Sequence, residues 1–77
     1  MTAKEIIRSL MKTRGHTYES LANKMGYARP SGVSERVRDD NGMRISTLVK
    51  MLDSMDCELV VRSKLPKDKS EWVVEVK

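Results

Sequence analysis

Apolar side chains recur three and four residues apart through the N-terminal two-thirds of the chain. This is the period of an α-helix that buries one face. It predicts four helices, over about residues 3–14, 18–25, 30–38 and 45–56. The second helix is only about eight residues long, and helices that short do not persist alone in water. We therefore expect the helices to pack against one another around a common core.

Residues that favour helix ends mark the predicted boundaries. Thr2 stands three residues before a glutamate, which is the spacing of a capping box, and Thr17 can cap the second helix. Gly15 and Gly26 follow the first and second helices, where glycine readily adopts the left-handed conformation that ends a helix. Pro30 is tolerated in the first turn of the third helix because its missing N–H has no partner there. The connection between the second and third helices is therefore short.

The inward faces of the predicted helices are aliphatic and rich in methionine, and the chain has no phenylalanine. The expected core consists of Ile6, Ile7, Leu10, Met11, Leu21, Ala22, Met25, Val33, Val37, Ile45, Leu48, Val49, Met51, Leu52 and Met55. Methionine fills irregular gaps in cores, so we interpret these methionines as packing residues rather than as a peptide-binding groove. Cys57 is interpreted as a small buried hydrophobic residue, and as the only cysteine it cannot form an intrachain disulfide.

The hydrophobic period changes to simple alternation near the C-terminus. Apolar residues alternate with other residues over about 57–62 and again over 71–77, which predicts two strands. We therefore expect a single, mainly α domain over 1–77. It would consist of a four-helix part in 1–56 and a C-terminal β-hairpin in 57–77.

We expect one face of this hairpin to cover the helices. The inner face would consist of Leu59, Val61, Trp72, Val74 and Val76, and the outer face would still show Val60 and Val73. A lone two-stranded hairpin is marginally stable, and an unpaired apolar edge invites association. We therefore predict a homodimer in which the last strand pairs with its counterpart in a second copy. The predicted dimerisation residues are Trp72, Val73, Val74 and Val76.

Charge and composition narrow the function only slightly. Lysine and arginine number 15 against 11 acidic residues, giving a net charge of +4. This excess suits a polyanionic partner, but many proteins carry it without one. The first residues lack the basic start and long apolar core of a signal peptide, and no apolar run is long enough to cross a membrane. With a single unpaired cysteine, these features predict a cytoplasmic protein.

No constellation of residues points to catalysis. One histidine, His16, and one cysteine cannot form a structural zinc site. The chain contains no glycine-rich phosphate loop and no pair of acidic residues in an apolar setting. We therefore expect no enzymatic activity, no metal and no cofactor.

Two short helices joined through Gly26, the second carrying exposed basic and hydroxyl side chains, form the central functional pattern. The segments that carry it are residues 7–11, 14–17, 21–27, 33–34 and 47–52. In these segments the chain resembles the helix-turn-helix domain of Cro and C1 repressor type, also called the xenobiotic-response-element type, which has a lambda-repressor-like fold. The resemblance covers residues 5–56. Tyr18 stands where members usually carry glutamine, and the stretch from Gly26 to Val33 is one residue longer than the common form.

The resemblance implies that the third helix enters the major groove of double-stranded DNA. It implies that residues early in this helix contact base edges, and the local chemistry agrees. The predicted DNA-binding residues are Arg29, Ser31, Gly32, Ser34, Glu35, Arg36, Arg38 and Arg44. Gly32 would allow close approach. Glu35 either accepts from a cytosine or pairs with Arg38 along the helix, and we favour the pair because such pairs are common on exposed helix faces. Arg14 and Lys24 are weaker candidates for phosphate contacts. The alternative interpretation is a solvated helix face with no ligand.

The function implied by the resemblance is that of a sequence-specific transcriptional regulator that binds DNA as a homodimer and represses by occluding a promoter. An antitoxin that binds its own operator and neutralises a toxin is the main alternative. A DNA-processing accessory factor of a mobile element and a protein-interaction module without DNA binding are others. No effector domain is evident, so no small-molecule effector is expected.

Overall fold

The computed structural model describes residues 1–39 and 43–75. Its elements follow in the order α1 (Ala3–Arg14), α2 (Tyr18–Met25), α3 (Ser31–Arg38), α4 (Ile45–Ser54), β1 (Val60–Arg62) and β2 (Glu71–Val73). The predicted layout of four helices followed by an antiparallel hairpin is confirmed. Helix α4 ends slightly earlier than predicted, and both strands are shorter than predicted. Within the described ranges, none of the helices combines the length and apolar composition needed to cross a bilayer.

The ends of α1 and α2 are set by their own sequences, as predicted. The Thr2 side chain accepts a hydrogen bond from the Glu5 N–H at 3.2 Å. Thr17 and Ser20 form a reciprocal capping box, each hydroxyl accepting from the backbone N–H of the other residue. Gly15 and Gly26 adopt the left-handed conformation, with φ of 70° and 80°. Gly26 therefore ends α2, and α3 begins after the short connection 26–30.

The core is formed by side chains from all four helices. Its buried members are Ile7, Leu21, Ala22, Val33, Val37, Met51 and Met55, and Leu52 is also buried. Met11 and Met25 pack against this cluster from its edge, so these four methionines act as packing residues, as predicted. Cys57 is only half-buried.

Two residues predicted to face the core lie outside it. Ile45 is 65% exposed, because it begins α4 and the first turn of that helix extends past the core. Its neighbours at helical spacing, Leu48 and Val49, are only half-buried. Ile6 is also exposed, since Ile7 takes the inward position and successive residues of a helix are about 100° apart.

The hairpin does not cover the helices, so the prediction of a buried inner face was wrong. Val61 pairs with Trp72 and Val60 pairs with Val73, which places these pairs on opposite faces of the ribbon. All four side chains are exposed.

Only the base of the hairpin reaches the helical part. Leu59 and Val74 are half-buried and joined by a backbone hydrogen bond of 2.9 Å from the Val74 N–H. With Val49 and Asp53 of α4 they line a cleft of about 420 Å³. The molecule measures 45 × 26 × 23 Å, and its radius of gyration of 13.5 Å exceeds the value of about 11.5 Å expected for a compact chain of this length. The hairpin therefore projects from the helical part.

Candidate nucleic-acid interface

Helix α3 is attached to the rest of the fold along one narrow stripe. Val33 and Val37, four residues apart, are its buried residues, and the helix packs against α1 and α2. Successive residues are about 100° apart, so Ser31, Glu35 and Arg38 lie on the side of the helix opposite the valines. All three are exposed. The outer face of α3 thus presents one hydroxyl, one carboxylate and one guanidinium to solvent.

The start of α3 is closed by its own backbone rather than left open. The N–H groups of Gly32, Val33 and Ser34 donate to the carbonyl oxygens of Arg29 and Pro30, over 3.0 to 3.1 Å. These donors are therefore already used. Contact with an anion at this end of α3 is therefore available from the exposed Arg29 side chain and from the Ser31 hydroxyl.

Ser34 is half-buried at the edge of the outer face, and its hydroxyl donates to the Ser31 carbonyl oxygen at 3.3 Å. Such back-bonding within a helix leaves the oxygen lone pairs of the hydroxyl free to accept. Ser34 is therefore suited to accept a hydrogen bond from a ligand at the edge of this surface.

Arg36 lies along the side of α3 instead of pointing outward. Its guanidinium carbon is 4.5 Å from the centre of the Tyr27 ring, and its Nη1 donates to the Gly32 carbonyl oxygen at 2.6 Å. Both contacts restrict its side chain. Tyr27, which sequence reasoning assigned no role, belongs to this site. Its position follows from the turn between α2 and α3, and no periodicity of the sequence could reveal it.

Gly32 faces Tyr27 rather than the outer surface of α3. A Cβ built on Gly32 would lie 3.4 Å from the Tyr27 Cγ. The missing side chain of Gly32 therefore leaves room beside Tyr27, at ordinary contact distance, and not on the outer surface where the sequence predicted close approach to DNA.

Glu35 and Arg38 were expected to form an ion pair as the favoured alternative to base contact. Within the described residues they do not: each side chain is exposed, and neither forms a salt bridge. An exposed pair of this kind stabilises a helix only slightly, because the entropy lost by two long side chains offsets most of a solvent-screened attraction. Both groups are therefore available to a ligand.

A cleft of about 580 Å³ connects the end of α3 to the start of α4. It is lined by Glu35, Arg36, Asp39, Met43, Arg44 and Thr47. Arg44 is exposed at the N-terminal end of α4, where the structure shows no side-chain cap. The positive end of the helix dipole and the guanidinium together favour an anion there. Arg44 thus extends the outer face of α3 toward α4.

The two weaker candidates, Arg14 and Lys24, have partners elsewhere. The Lys24 Nζ donates to the Ser54 carbonyl oxygen at 3.1 Å, at the end of α4. The Arg14 guanidinium lies 3.9 Å from the Cys57 Sγ. The first contact joins α2 to the end of α4, and the second joins α1 to the segment that leads into the hairpin, so these two residues are better explained by structure than by phosphate binding.

The residues predicted to form a dimer lie on the projecting hairpin. Trp72 is 58% exposed and Val73 is exposed on the opposite face, whereas Val74 is half-buried at the base. Val76 lies outside the described residues. The hairpin therefore presents apolar side chains on both faces, more than the sequence predicted.

Among the described residues, no group of three or more His, Cys, Asp or Glu side chains is placed to hold a metal ion. The His16 Nδ1 lies 3.0 Å from the Ser20 hydroxyl. Neither a protein-family model, nor a curated protein, nor a solved structure matches this chain.

Proposed function

We propose that this protein is a sequence-specific, double-stranded-DNA-binding transcriptional regulator that acts as a homodimer and represses by occluding a promoter. The observation that carries the proposal is that Val33 and Val37 are the buried residues of α3, whereas Ser31, Glu35 and Arg38 on the opposite side are exposed. A helix with one exposed polar side can enter the major groove of B-form DNA. A regulator of this kind acts in the cytoplasm, and the free thiol of Cys57 suits that reducing compartment.

The outer face of α3 supplies the groups that read bases. The Arg38 guanidinium is suited to the two acceptors of guanine, and the Glu35 carboxylate is suited to the amino group of cytosine. The Ser31 hydroxyl can donate or accept, and the Ser34 hydroxyl, which already donates within α3, can accept. Arg36 has a supporting role. Its stacking on Tyr27 restricts the conformation of its side chain and holds a positive charge beside the DNA major groove.

Arginines at both ends of α3 supply the phosphate contacts. Arg29 precedes the helix and Arg44 follows the cleft at its other end, and both are exposed. Phosphate contacts carry little sequence information but fix the position of the protein on the duplex. This division of roles separates the residues that set specificity from those that set affinity.

The projecting hairpin is the proposed dimer contact. Its apolar side chains are exposed on both faces, and its short ladder leaves backbone groups unpaired at the edges. Pairing of β2 with its counterpart would make a four-stranded sheet. A two-fold dimer would present two α3 helices to half-sites about one helical turn apart.

The test begins by selecting bound duplexes from a random library. Arg38→Ala and Ser34→Ala should then relax sequence preference, with each lost base contact costing about 1–3 kcal/mol, or roughly 5- to 150-fold, on the selected duplex only. Arg44→Ala should weaken selected and random duplexes alike. Lys12→Ala, on the exposed side of α1, is the control and should change neither.

Equal losses on selected and random DNA for all three interface variants would contradict the assignment of α3 as the reading element. Failure of the library to enrich any sequence would overturn the proposed function itself. The first outcome is read from the binding titrations and the second from the selection, so they cannot be confused with each other.

An antitoxin that also binds DNA is the second candidate. The exposed apolar faces of the hairpin favour it, because such a surface also suits a different protein. Co-purification of a second small protein from the native host, with loss of that protein on Trp72→Ala, would favour the antitoxin over a simple homodimeric repressor.

A further inference from the structure

The loop that joins β1 to β2 carries a compact cluster of positive charge. Residues 63–70 contain three lysines and one acidic residue, Asp68. Lys64, Lys67 and Lys69 are all exposed. The sequence pattern identified this stretch only as a polar connection between strands.

The loop has a defined conformation, held by four hydrogen bonds. The Ser63 N–H donates to the Ser70 carbonyl oxygen at 3.2 Å and closes the hairpin, while the Asp68 N–H donates to the Leu65 carbonyl oxygen at 3.1 Å. The Leu65 N–H donates to the Ser63 hydroxyl at 3.1 Å, and the Ser70 N–H donates to the Asp68 carboxylate at 2.9 Å. The lysines are thus attached to a backbone that is already ordered, which reduces the entropy lost on binding.

The single carboxylate of the loop is engaged inside it. Asp68 is half-buried, and its pKa is lowered by hydrogen bonds from the side chain and the N–H of Ser70 and from the Ser63 side chain. The charges next to the loop balance each other, because Arg62 lies opposite Glu71 in the strand register. Asp68 stays ionised at neutral pH, so the net charge of the loop is +2, and its three ammonium groups are the charges that are exposed.

The position of the cluster separates it from the outer face of α3. The hairpin meets the helical part only at its base, so the loop lies at the far end of a projecting ribbon in a molecule 45 Å long. Charge at such a distance adds little to the stability of the fold. It can, however, reach a part of a long polyanion that α3 does not touch.

We propose that the loop 63–70 binds the phosphodiester backbone of duplex DNA, as a second contact remote from the groove read by α3. The proposal rests on the proposed function, because the same duplex must be held by α3. Lysine is suited to this role, since its ammonium group acts as a point charge that contacts phosphate without specifying a base. An anionic lipid surface fits less well, because Leu65 is the only large apolar side chain of the loop.

The test is the salt dependence of duplex binding by the triple variant Lys64→Gln/Lys67→Gln/Lys69→Gln. Each phosphate contact contributes about 0.9 to the slope of log K against log salt concentration. If all three lysines contact phosphate, the slope becomes shallower by about 2.7 per bound protomer, and affinity at about 50 mM salt falls on selected and random duplexes alike. Light scattering on the same samples confirms that the oligomeric state is unchanged.

Two controls are matched to this variant. Lys64→Arg/Lys67→Arg/Lys69→Arg keeps the charge at the same positions and should retain the slope of the wild type. Lys12→Gln removes one exposed charge from α1 and should leave the slope unchanged. If Lys12→Gln reduces the salt slope by as much as each lysine of the loop does, the net charge of the protein and not the position of the loop sets the slope, and the proposal is overturned.

The outcomes distinguish the loop from α3. A triple variant with the slope of the wild type overturns the proposal for the loop and leaves the function of α3 intact. If the triple variant loses slope while Arg38→Ala and Ser34→Ala change no preference, the loop contact stands and the reading role of α3 fails. Membrane binding is tested with vesicles of equal parts phosphatidylglycerol and phosphatidylcholine. If the triple variant leaves the duplex slope unaffected but loses a vesicle-induced blue shift of Trp72 emission, the loop binds a membrane and the proposal is overturned.

Discussion

Trp72→Ala tests whether the hairpin forms the dimer. Trp72 is 58% exposed and lies opposite Val61 on one face of the hairpin. An aromatic side chain buries roughly 200 Å², so about 120 Å² of this one remains to be covered. At about 25 cal/mol per Å², complete burial contributes about 3 kcal/mol per protomer and about 6 kcal/mol for a two-fold dimer.

The expected result is dissociation of the dimer without loss of the fold. Even half of that free energy raises the dissociation constant of the dimer by about a hundredfold, since each 1.4 kcal/mol is about tenfold. Sedimentation equilibrium over a range of protein concentrations measures the constant. Circular dichroism should show an intact helical part, because Trp72 lies outside the core.

Leu65→Ala is the matched control. Leu65 is 67% exposed, but it belongs to the loop and not to either strand. Its truncation should leave the dimer intact. A monomeric wild type at micromolar concentration would refute the reasoning, as would a Trp72→Ala variant that associates as tightly as the wild type or a Leu65→Ala variant that dissociates equally.

Two further predictions concern the loop and the turn. The pKa of Asp68 lies below its ordinary value of 3.8, because the Ser70 and Ser63 groups donate hydrogen bonds to its carboxylate. The contribution of these hydrogen bonds to loop stability is therefore present above pH 3.8, and it is lost as the pH falls through the pKa of Asp68 in the folded state. An NMR titration of the Ser70 amide should show a midpoint below 3.8, and a midpoint at or above that value would contradict the assignment. Gly26→Ala should lower the free energy of unfolding by about 1–2 kcal/mol, because φ is +80° at this position. Gly32→Ala should raise the free energy of unfolding by about 0.5–1 kcal/mol, because Gly32 lies within α3 and the added methyl group makes only an ordinary contact. Urea denaturation measures both, and destabilisation of equal size at the two glycines would contradict this reading of the turn.

Much of the fold is decided by interactions between residues close together in the sequence. Thr17 caps α2 through a residue three positions away, and Gly26 ends that helix through its own backbone conformation. Val33 and Val37 lie on one face of α3 because helical geometry places residues four apart on the same side. Such relations require no knowledge of the rest of the molecule, so the helices, their ends and the inward face of α3 could be predicted from the sequence.

The direction of individual side chains depends on neighbours that no local pattern specifies. Arg36 was predicted to face a ligand but lies against Tyr27, nine residues earlier, because the turn after α2 brings the ring beside α3. Glu35 was expected to pair within its helix and instead stays exposed, since solvent competes for its charge. Each outcome depends on small differences in free energy between alternative contacts, and those contacts exist only once the helices have packed.

The hairpin shows the same limit on a larger scale. Alternation of apolar residues predicted its strands, because alternation follows from the pleat of a β-strand. It could not predict whether Val61 and Trp72 would pack on the helices or point to solvent, since the angle at which a hairpin leaves a fold depends on contacts at its base. In this protein those contacts end at Leu59 and Val74. The sequence by itself thus determined which elements form, and tertiary packing decided which of their surfaces remain free to bind, because exposure is a property of the assembled fold and not of any segment.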